Sequence, residues 1–162
     1  MKIVSNTGPL IGLAKIKQIS LLKDIAEAVF TPPMVHRELL GKVGDESQEI
    51  DYALSGFIRV TDPKPLAPAT ELAIADLDEG EKQAIGLAST VAGDILLLLD
   101  DRAGRAVAKK LNIPTMGLVT FLLLAKERGL VANIGQLIEE LRNKGYWLSD
   151  EVIEVAKRLA GE

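Results

Sequence analysis

The segment Ile95–Leu99 is a run of five aliphatic residues with no polar residue between them. A strand exposed on one face alternates apolar and polar side chains, so this run indicates a strand that is covered on both faces, as in the centre of a parallel sheet. Shorter strand patterns occur at Lys2–Ser5, Ala28–Phe30, Phe57–Val60 and Ile113–Thr115, and helical patterns separate them. This alternation predicts an α/β sandwich built around a mainly parallel sheet.

The composition of the chain limits the kind of catalytic chemistry and the cellular location that we expect. With 162 residues, the chain is most simply one domain, 1–162, of which 133–162 form a C-terminal helical extension. No apolar stretch approaches the roughly 18 residues of a membrane span, and polar Ser5-Asn6-Thr7 interrupt the first apolar segment too early for a signal peptide. We therefore expect a cytoplasmic, unprocessed protein. Cysteine is absent and His36 is the single histidine, so the chemistry is expected to rest on carboxylates.

Two other segments carry specific expectations. Three of the seven prolines lie between Asp62 and Thr70, which predicts a loop there. The predicted helix Leu118–Arg128 is apolar around much of its circumference. Either the helices that follow it bury this surface, or it forms the subunit interface of a homodimer, which is the arrangement we expect.

Polar residues follow two of the predicted strands at their carboxyl ends, where sites form in parallel sheets. Asn6 follows the first strand, and Asp100 and Asp101 follow the aliphatic run. Adjacent carboxylates repel each other unless a positive group lies near, and capping of the next helix would explain only one of them. Asn6 is either a turn residue before Thr7-Gly8-Pro9 or an uncharged oxygen ligand for a hard cation.

Glu38 and Glu81 lie on predicted helices, at or beside the apolar face. The segment Asp78–Glu81 has the form of a capping box, which would explain Glu81 without any function. Glu81 also shares the row of Ala84 and Ile85, however, and an acid in a buried row needs a partner such as a metal ion. Glu38 borders the apolar face of its helix, and its alternative explanation is a half-exposed glutamate at the helix edge.

A basic stripe accompanies the acids. Arg102, Arg105 and Lys109 are spaced i, i+3 and i+7 on the helix that follows Asp101. Such a stripe beside an acidic cluster suits a phosphodiester substrate, although a solvated helix face would have the same pattern. The net charge of −4 argues against a protein that coats duplex DNA and leaves a nuclease open.

Five segments in order resemble PIN domains, a metal-dependent nuclease fold, and more narrowly the PIN-like branch of predicted prokaryotic nucleic-acid-binding proteins. They are VSNTGPLIGLAKI, FTPPMVHREL, LDEGEKQAIGLA, LLLLDDRAGRAVAKKLNIPTMG and LLLAKERGLV, and they span residues 4 to 131. The resemblance implies a three-layer α/β/α fold, Mg²⁺ or Mn²⁺ in a carboxylate cleft, and single-stranded or structured RNA as the substrate. It further implies a ribonuclease related to the toxins of toxin–antitoxin pairs, with a cognate antitoxin protein as a candidate partner.

Carried over by position, the resemblance assigns the site residues. The metal ligands would be Asn6, Glu38, Glu81 and one of Asp100 or Asp101, with Asp101 favoured as the catalytic residue. The substrate contacts would be Thr7, Arg102 and Arg105. The first ligand position is ordinarily aspartate in active PIN domains, so Asn6 departs from the pattern. The alternative is therefore a catalytically impaired PIN-like module that binds nucleic acid or a protein.

A third interpretation of the sequence is a phosphoacceptor domain that uses the pair Asp100 and Asp101. It is disfavoured because the acid pairs of receiver-type domains follow the first strand, whereas this pair comes late in the chain.

Overall fold

The computed structural model describes residues 1–41 and 44–162, and its strands form one sheet. These strands are β1 (Lys2–Ser5), β2 (Ala28–Thr31), β3 (Ile58–Val60), β4 (Ile95–Leu98) and β5 (Thr115–Met116). Their order across the sheet is β3-β2-β1-β4-β5, and every neighbouring pair is parallel. The predicted parallel sheet is confirmed, with β1 at its centre between β2 and β4.

The helices occupy the segments between the strands and the C-terminal part of the chain. They are α1 (Thr7–Lys15), α2 (Leu21–Ile25), α3 (Pro33–Leu40), α4 (Glu46–Gly56), α5 (Pro68–Ile74), α6 (Glu79–Thr90), α7 (Arg102–Lys110), α8 (Leu118–Glu127), α9 (Ile134–Asn143) and α10 (Asp150–Leu159). The predicted loop ends earlier than expected, because Pro68 begins α5, and proline suits a first helical turn. In the described part of the chain, every helix is too short or too polar to cross a bilayer.

Side chains from the two faces of the sheet enter two separate cores. On β4, Leu96 and Leu98 join one core, and Ile95 and Leu97 join the other. The first core includes buried residues of α1, α4, α8, α9 and α10, and the second includes residues of α5, α6 and α7. A strand covered on both faces has no solvent-facing row, which is why its sequence lacks polar alternation. The three-layer α/β/α fold is confirmed.

The apolar surface of α8 is largely covered within the chain. Its Leu118, Phe121, Leu122 and Ala125 are buried, and α8 packs against α1, α9 and α10. Burial by the closing helices therefore explains much of the apolar pattern. A homodimer stays a prediction, as does the division of the chain into domain and extension.

The last residue, Glu162, ties the end of α10 to the start of α9. Gly161 has a φ of +74° and turns the chain after α10, so that the Glu162 N–H donates to the Lys157 carbonyl at 2.8 Å. The Glu162 carboxylate accepts the N–H groups of Ile134 and Gly135, both at 2.8 Å, and pairs with Lys126. These contacts lower the pKa of Glu162 to about 2, with the Lys126 hydrogen bond as the largest cause.

We expect Glu162→Gln to destabilise the fold by about 1–2 kcal/mol at pH 7, the size of a lost helix cap. Because folding lowers the pKa of Glu162 from 4.5 to about 2, the wild-type advantage is full above pH 4.5 and disappears as the pH falls through about 2. Urea denaturation at several pH values measures it. Glu154→Gln, an exposed position on α10, is the control, and equal stability of the two variants at pH 7 would contradict the capping role.

Candidate functional site

The site lies at the carboxyl edge of the two central strands. Ser5 of β1 is in register with Leu98 of β4, and the Asn6 N–H donates to the Leu98 carbonyl at 3.0 Å. The chain leaves β1 towards β2 on one side of the sheet and returns as β4 on the other, so a ligand crevice is expected beside the carboxyl ends of β1 and β4. We refer to this edge of the sheet as the crevice. Asn6 and Asp100 therefore follow two adjacent strands, at the edge where ligands bind in such sheets.

Asn6 presents an oxygen without a protein partner. Its Oδ1 is buried and accepts no hydrogen bond from the residues that the structure describes. Asn6 occupies the N-cap position of α1, yet its side chain makes no capping hydrogen bond. A buried acceptor without a partner is unfavourable, so the turn explanation does not account for this side chain. The orphaned oxygen suits a cation or a substrate donor.

Thr7 and Gly80 hold Glu38 at the same edge. The buried Thr7 hydroxyl donates to Glu38 Oε2 at 2.5 Å, which links α3 to the start of α1. A Cβ at Gly80 would lie 2.7 Å from Glu38 Oε1, so glycine permits the close approach of Glu38 to the first turn of α6. The Met34 N–H also donates to Gln83 Oε1 at 2.9 Å and fixes α3 against α6. Thr7 thus contacts the predicted ligand Glu38 directly.

Glu81 lies one residue beyond Gly80, in an environment that disfavours its charge. Asp78 Oδ1 accepts the Glu81 N–H at 2.9 Å, which confirms Asp78 as the N-cap of α6. Burial, followed by the charges of Asp78 and Asp101, raises the pKa of Glu81 to about 7. The carboxylates of Glu81 and Asp101 are therefore close enough to interact, although they are far apart in sequence.

Asp100 and Asp101 have different surroundings. Asp101 is exposed, and its Oδ2 accepts the Gly104 N–H at 2.7 Å as the N-cap of α7. Asp100 is partly buried, its Oδ1 accepts the Leu118 N–H at 2.8 Å, and its Oδ2 accepts the Tyr146 hydroxyl. Burial raises the pKa of Asp100, and the Leu118 N–H and the charge of Arg105 oppose this increase. The adjacent acids thus divide into a helix cap and a carboxylate that faces the crevice.

The basic residues of α7 are also divided. Arg105 is half-buried, and a Cβ at Gly117 would lie 2.8 Å from both an Arg105 guanidinium nitrogen and Asp100 Oδ1. Arg105 therefore lies beside Asp100 and offsets its charge. Arg102 and Lys109 are exposed, so they remain accessible to a substrate.

Tyr146 contacts Asp100, and the sequence did not reveal this contact. The tyrosine lies 46 residues beyond Asp100, in the segment between α9 and α10. Gly145 signals the end of a helix, but no pattern in the sequence indicates where the next side chain points. The packing of α9 against α8, and of the Tyr146 ring against Gly12 of α1, brings the Tyr146 hydroxyl to Asp100.

The donor set suits a hard divalent cation by its chemistry. It consists of carboxylate oxygens and the orphaned Asn6 Oδ1, and Mg²⁺ and Mn²⁺ prefer such oxygen ligands. Burial, and after it the charges of Asp78 and Asp101, raise the pKa of Glu81, and a bound cation would favour its carboxylate form. Within residues 1–41 and 44–162, however, no group of three or more acidic or histidine side chains is already arranged to hold a metal. The ligand set therefore stays a prediction.

Comparison with known families agrees with this architecture. A family model described as a PIN domain matches residues 2–162, whereas no curated protein and no solved structure matches the chain. PIN domains are generally nucleases and typically use divalent metals. The nearly complete match, together with a five-stranded parallel sheet that carries acids at its carboxyl edge, confirms the resemblance seen in the sequence: the chain belongs to the PIN domain family.

Proposed function

We propose that this protein is a divalent-metal-dependent ribonuclease that cleaves single-stranded or structured RNA. The observation that carries the proposal is the buried Asn6 Oδ1, which has no hydrogen-bond partner among residues 1–41 and 44–162 and follows the strand next to the one that Asp100 follows. Family membership supports a nuclease-like fold. Asn6, Glu38, Glu81 and Asp100 or Asp101 are the proposed ligands of Mg²⁺ or Mn²⁺.

Each ligand would contribute in a different way. A bound divalent cation would lower the pKa of a coordinated water and offset the charge of the scissile phosphate. Glu81, held neutral at pH below about 7 when no cation is present, would bind as a carboxylate and release its proton. Thr7 would keep Glu38 in place through the hydrogen bond to Oε2, and Asp101 would also cap α7.

The basic residues supply the proposed contacts to RNA. Arg102 is exposed at the first position of α7 and can pair with a backbone phosphate. Arg105 lies beside Asp100, so it would act at the scissile phosphate while it also balances the carboxylate. Thr7 is buried and bonded to Glu38, so we assign it a positioning role in place of a direct substrate contact.

A second candidate function is a catalytically impaired PIN module that binds RNA or a protein. Asn6 favours it, because an amide oxygen brings no negative charge to the cation site. In that case the fold and the crevice would bind a partner without cleaving it. Asn6→Asp separates the two functions, as argued in the Discussion.

We further propose that the protein forms a homodimer. A cognate antitoxin protein as a partner and a cytoplasmic location are also part of the proposal. An apolar groove between α8 and α10, lined by Val119, Leu123, Val152, Val155 and Leu159, supports a homodimer. Leu159 is 66% exposed and Val152 is 42% exposed. We expect Leu159→Lys to shift the protein to monomer in light scattering if the groove is the subunit interface.

Substitutions of two aspartates at opposite ends of β4 test the proposed ribonuclease activity. We expect the wild type to cleave labelled single-stranded RNA with Mn²⁺ and not with EDTA. Asp100→Asn, at the carboxyl end, should reduce the rate by about 10²–10³-fold, as loss of a charge-stabilising group does. Asp94→Asn, at the exposed amino end, should cleave like the wild type. Equal rates for wild type and Asp100→Asn would contradict the proposal.

A further inference from the structure

The C-terminal segment contributes a hydroxyl group to the crevice. Tyr146 lies between α9 and α10, and its phenolic O–H donates to Asp100 Oδ2. The neighbouring Trp147 is 84% exposed, whereas Tyr146 is partly buried. Consecutive side chains of this segment therefore point in different directions, and only the tyrosine reaches the sheet edge.

Two glycines allow the Tyr146 side chain to contact Asp100. Gly145, with a φ of +90°, follows the last turn of α9, where its N–H donates to the Arg142 carbonyl and the Tyr146 N–H donates to the Leu141 carbonyl. This is a Schellman turn, which reverses the chain in a fixed way. A Cβ at Gly12 of α1 would lie 3.1 Å from the Tyr146 ring. The ring therefore packs closely against the helix that begins beside Asn6.

Asp100 is thus held at both oxygens. The Leu118 N–H from the start of α8 binds Oδ1 at 2.8 Å, and the Tyr146 hydroxyl binds Oδ2. Each carboxylate oxygen has a second lone pair, so two donors orient the group and still leave it able to bind a cation. Donors of this kind around a metal ligand fix its orientation and affect affinity.

We propose that Tyr146 is a positioning residue for Asp100, so that the segment between α9 and α10 is part of the active site. The inference rests on the proposed function, because it assigns Tyr146 an effect on cation binding. Its direct consequence is that changes in the C-terminal helices would alter the site through one hydroxyl group. Tyr146→Phe tests this, because it removes the hydroxyl and keeps the ring beside Gly12. Tyr52→Phe, an exposed tyrosine on α4, is the matched control.

The first measurement needs no metal. A double-mutant cycle of Tyr146→Phe and Asp100→Ala, followed by urea denaturation, measures whether the two side chains interact. We expect the two losses of stability to be clearly non-additive. Additive losses of stability would show that Tyr146 and Asp100 do not interact, which would overturn the proposal. If Asp100→Ala does not fold, the second measurement decides alone.

The second measurement is Mn²⁺ affinity by electron paramagnetic resonance of the free ion. We expect Tyr146→Phe to raise the Kd for Mn²⁺ by about 10–100-fold, with Tyr52→Phe unchanged. An equal or tighter Kd for Tyr146→Phe would overturn the positioning role, and a tighter one would indicate that the tyrosine blocks the site. If the wild type binds no Mn²⁺, the proposed function fails, and the metal-free cycle still shows whether Tyr146 holds Asp100.

Discussion

Glu81→Gln is expected to stabilise the metal-free protein at pH 8 and to abolish divalent-dependent cleavage of RNA. Burial is the largest cause of the raised pKa of Glu81, and the charges of Asp78 and Asp101 add to it. The wild-type fold therefore opposes ionisation of this carboxyl group, and glutamine removes the conflict with little change of shape. A carboxylate that destabilises its own fold is a common compromise at active sites, and the proposed role of Glu81 would explain it here.

The sign of the pH dependence follows from the direction of the shift. Folding raises the pKa of Glu81 from 4.5 to about 7, so the folded state binds the proton more tightly than the unfolded state does. The penalty is absent below pH 4.5, grows as the pH rises, and is complete above about 7. With allowance for partial solvent exposure, we expect Glu81→Gln to be more stable than wild type by about 1–2 kcal/mol at pH 8 and equal at pH 4.

Urea denaturation at pH 4 and pH 8 and RNA cleavage with Mn²⁺ check the two parts of this prediction. Glu79→Gln is the control, because Glu79 lies in the same first turn of α6 and is exposed. Its variant should keep cleavage and lack the stabilisation. A Glu81→Gln variant that is less stable than wild type at pH 8 would show that the fold stabilises the Glu81 carboxylate, which would contradict the raised pKa of this group.

Asn6→Asp is expected to increase Mn²⁺ affinity and cleavage by at least about 10-fold, or roughly 1.4 kcal/mol. The new carboxylate would lie where Asn6 Oδ1 is buried without a partner in the described part of the chain, at the edge that it shares with Asp100. Without metal the substitution should destabilise the fold, because it places a negative charge at a buried position whose neutral oxygen is already unpaired. Bound Mn²⁺ should recover this loss, because a ligand that binds only the folded state stabilises it.

Thermal unfolding with and without Mn²⁺, together with the cleavage assay, measures these effects. Asn112→Asp makes the same substitution at an exposed residue just after α7 and should respond to Mn²⁺ like the wild type. Unchanged affinity in Asn6→Asp would place the cation away from β1. Tighter binding without cleavage would favour the binding module over the ribonuclease.

The sequence predicted those features that depend on local pattern. The aliphatic run Ile95–Leu99 predicted a buried central strand, and Asp78 and Asp101 are typical of residues that cap helices, as they do here. Pro68 shows the limit of such patterns. A proline-rich segment predicts a loop, but the same proline also suits the first turn of α5.

The candidate site was predictable only where strand ends specified it. Asn6 and Asp100 follow adjacent strands, so parallel pairing alone brings them to one edge. The contact of Thr7 with Glu38, the division of roles between Asp100 and Asp101, and the position of Arg105 depend on side-chain packing. No spacing in the chain encodes these contacts.

The sequence by itself determined the three-layer α/β/α fold of the PIN family and the acids at the carboxyl edge of its parallel sheet. It could do so because strand burial and helix capping are set by neighbouring residues. Only the tertiary structure decided that the segment after α9 returns to that edge, where Tyr146 donates to Asp100. The physical reason is that this contact joins residues 46 positions apart, and the packing of α8, α9 and α1 around Gly12 sets its geometry.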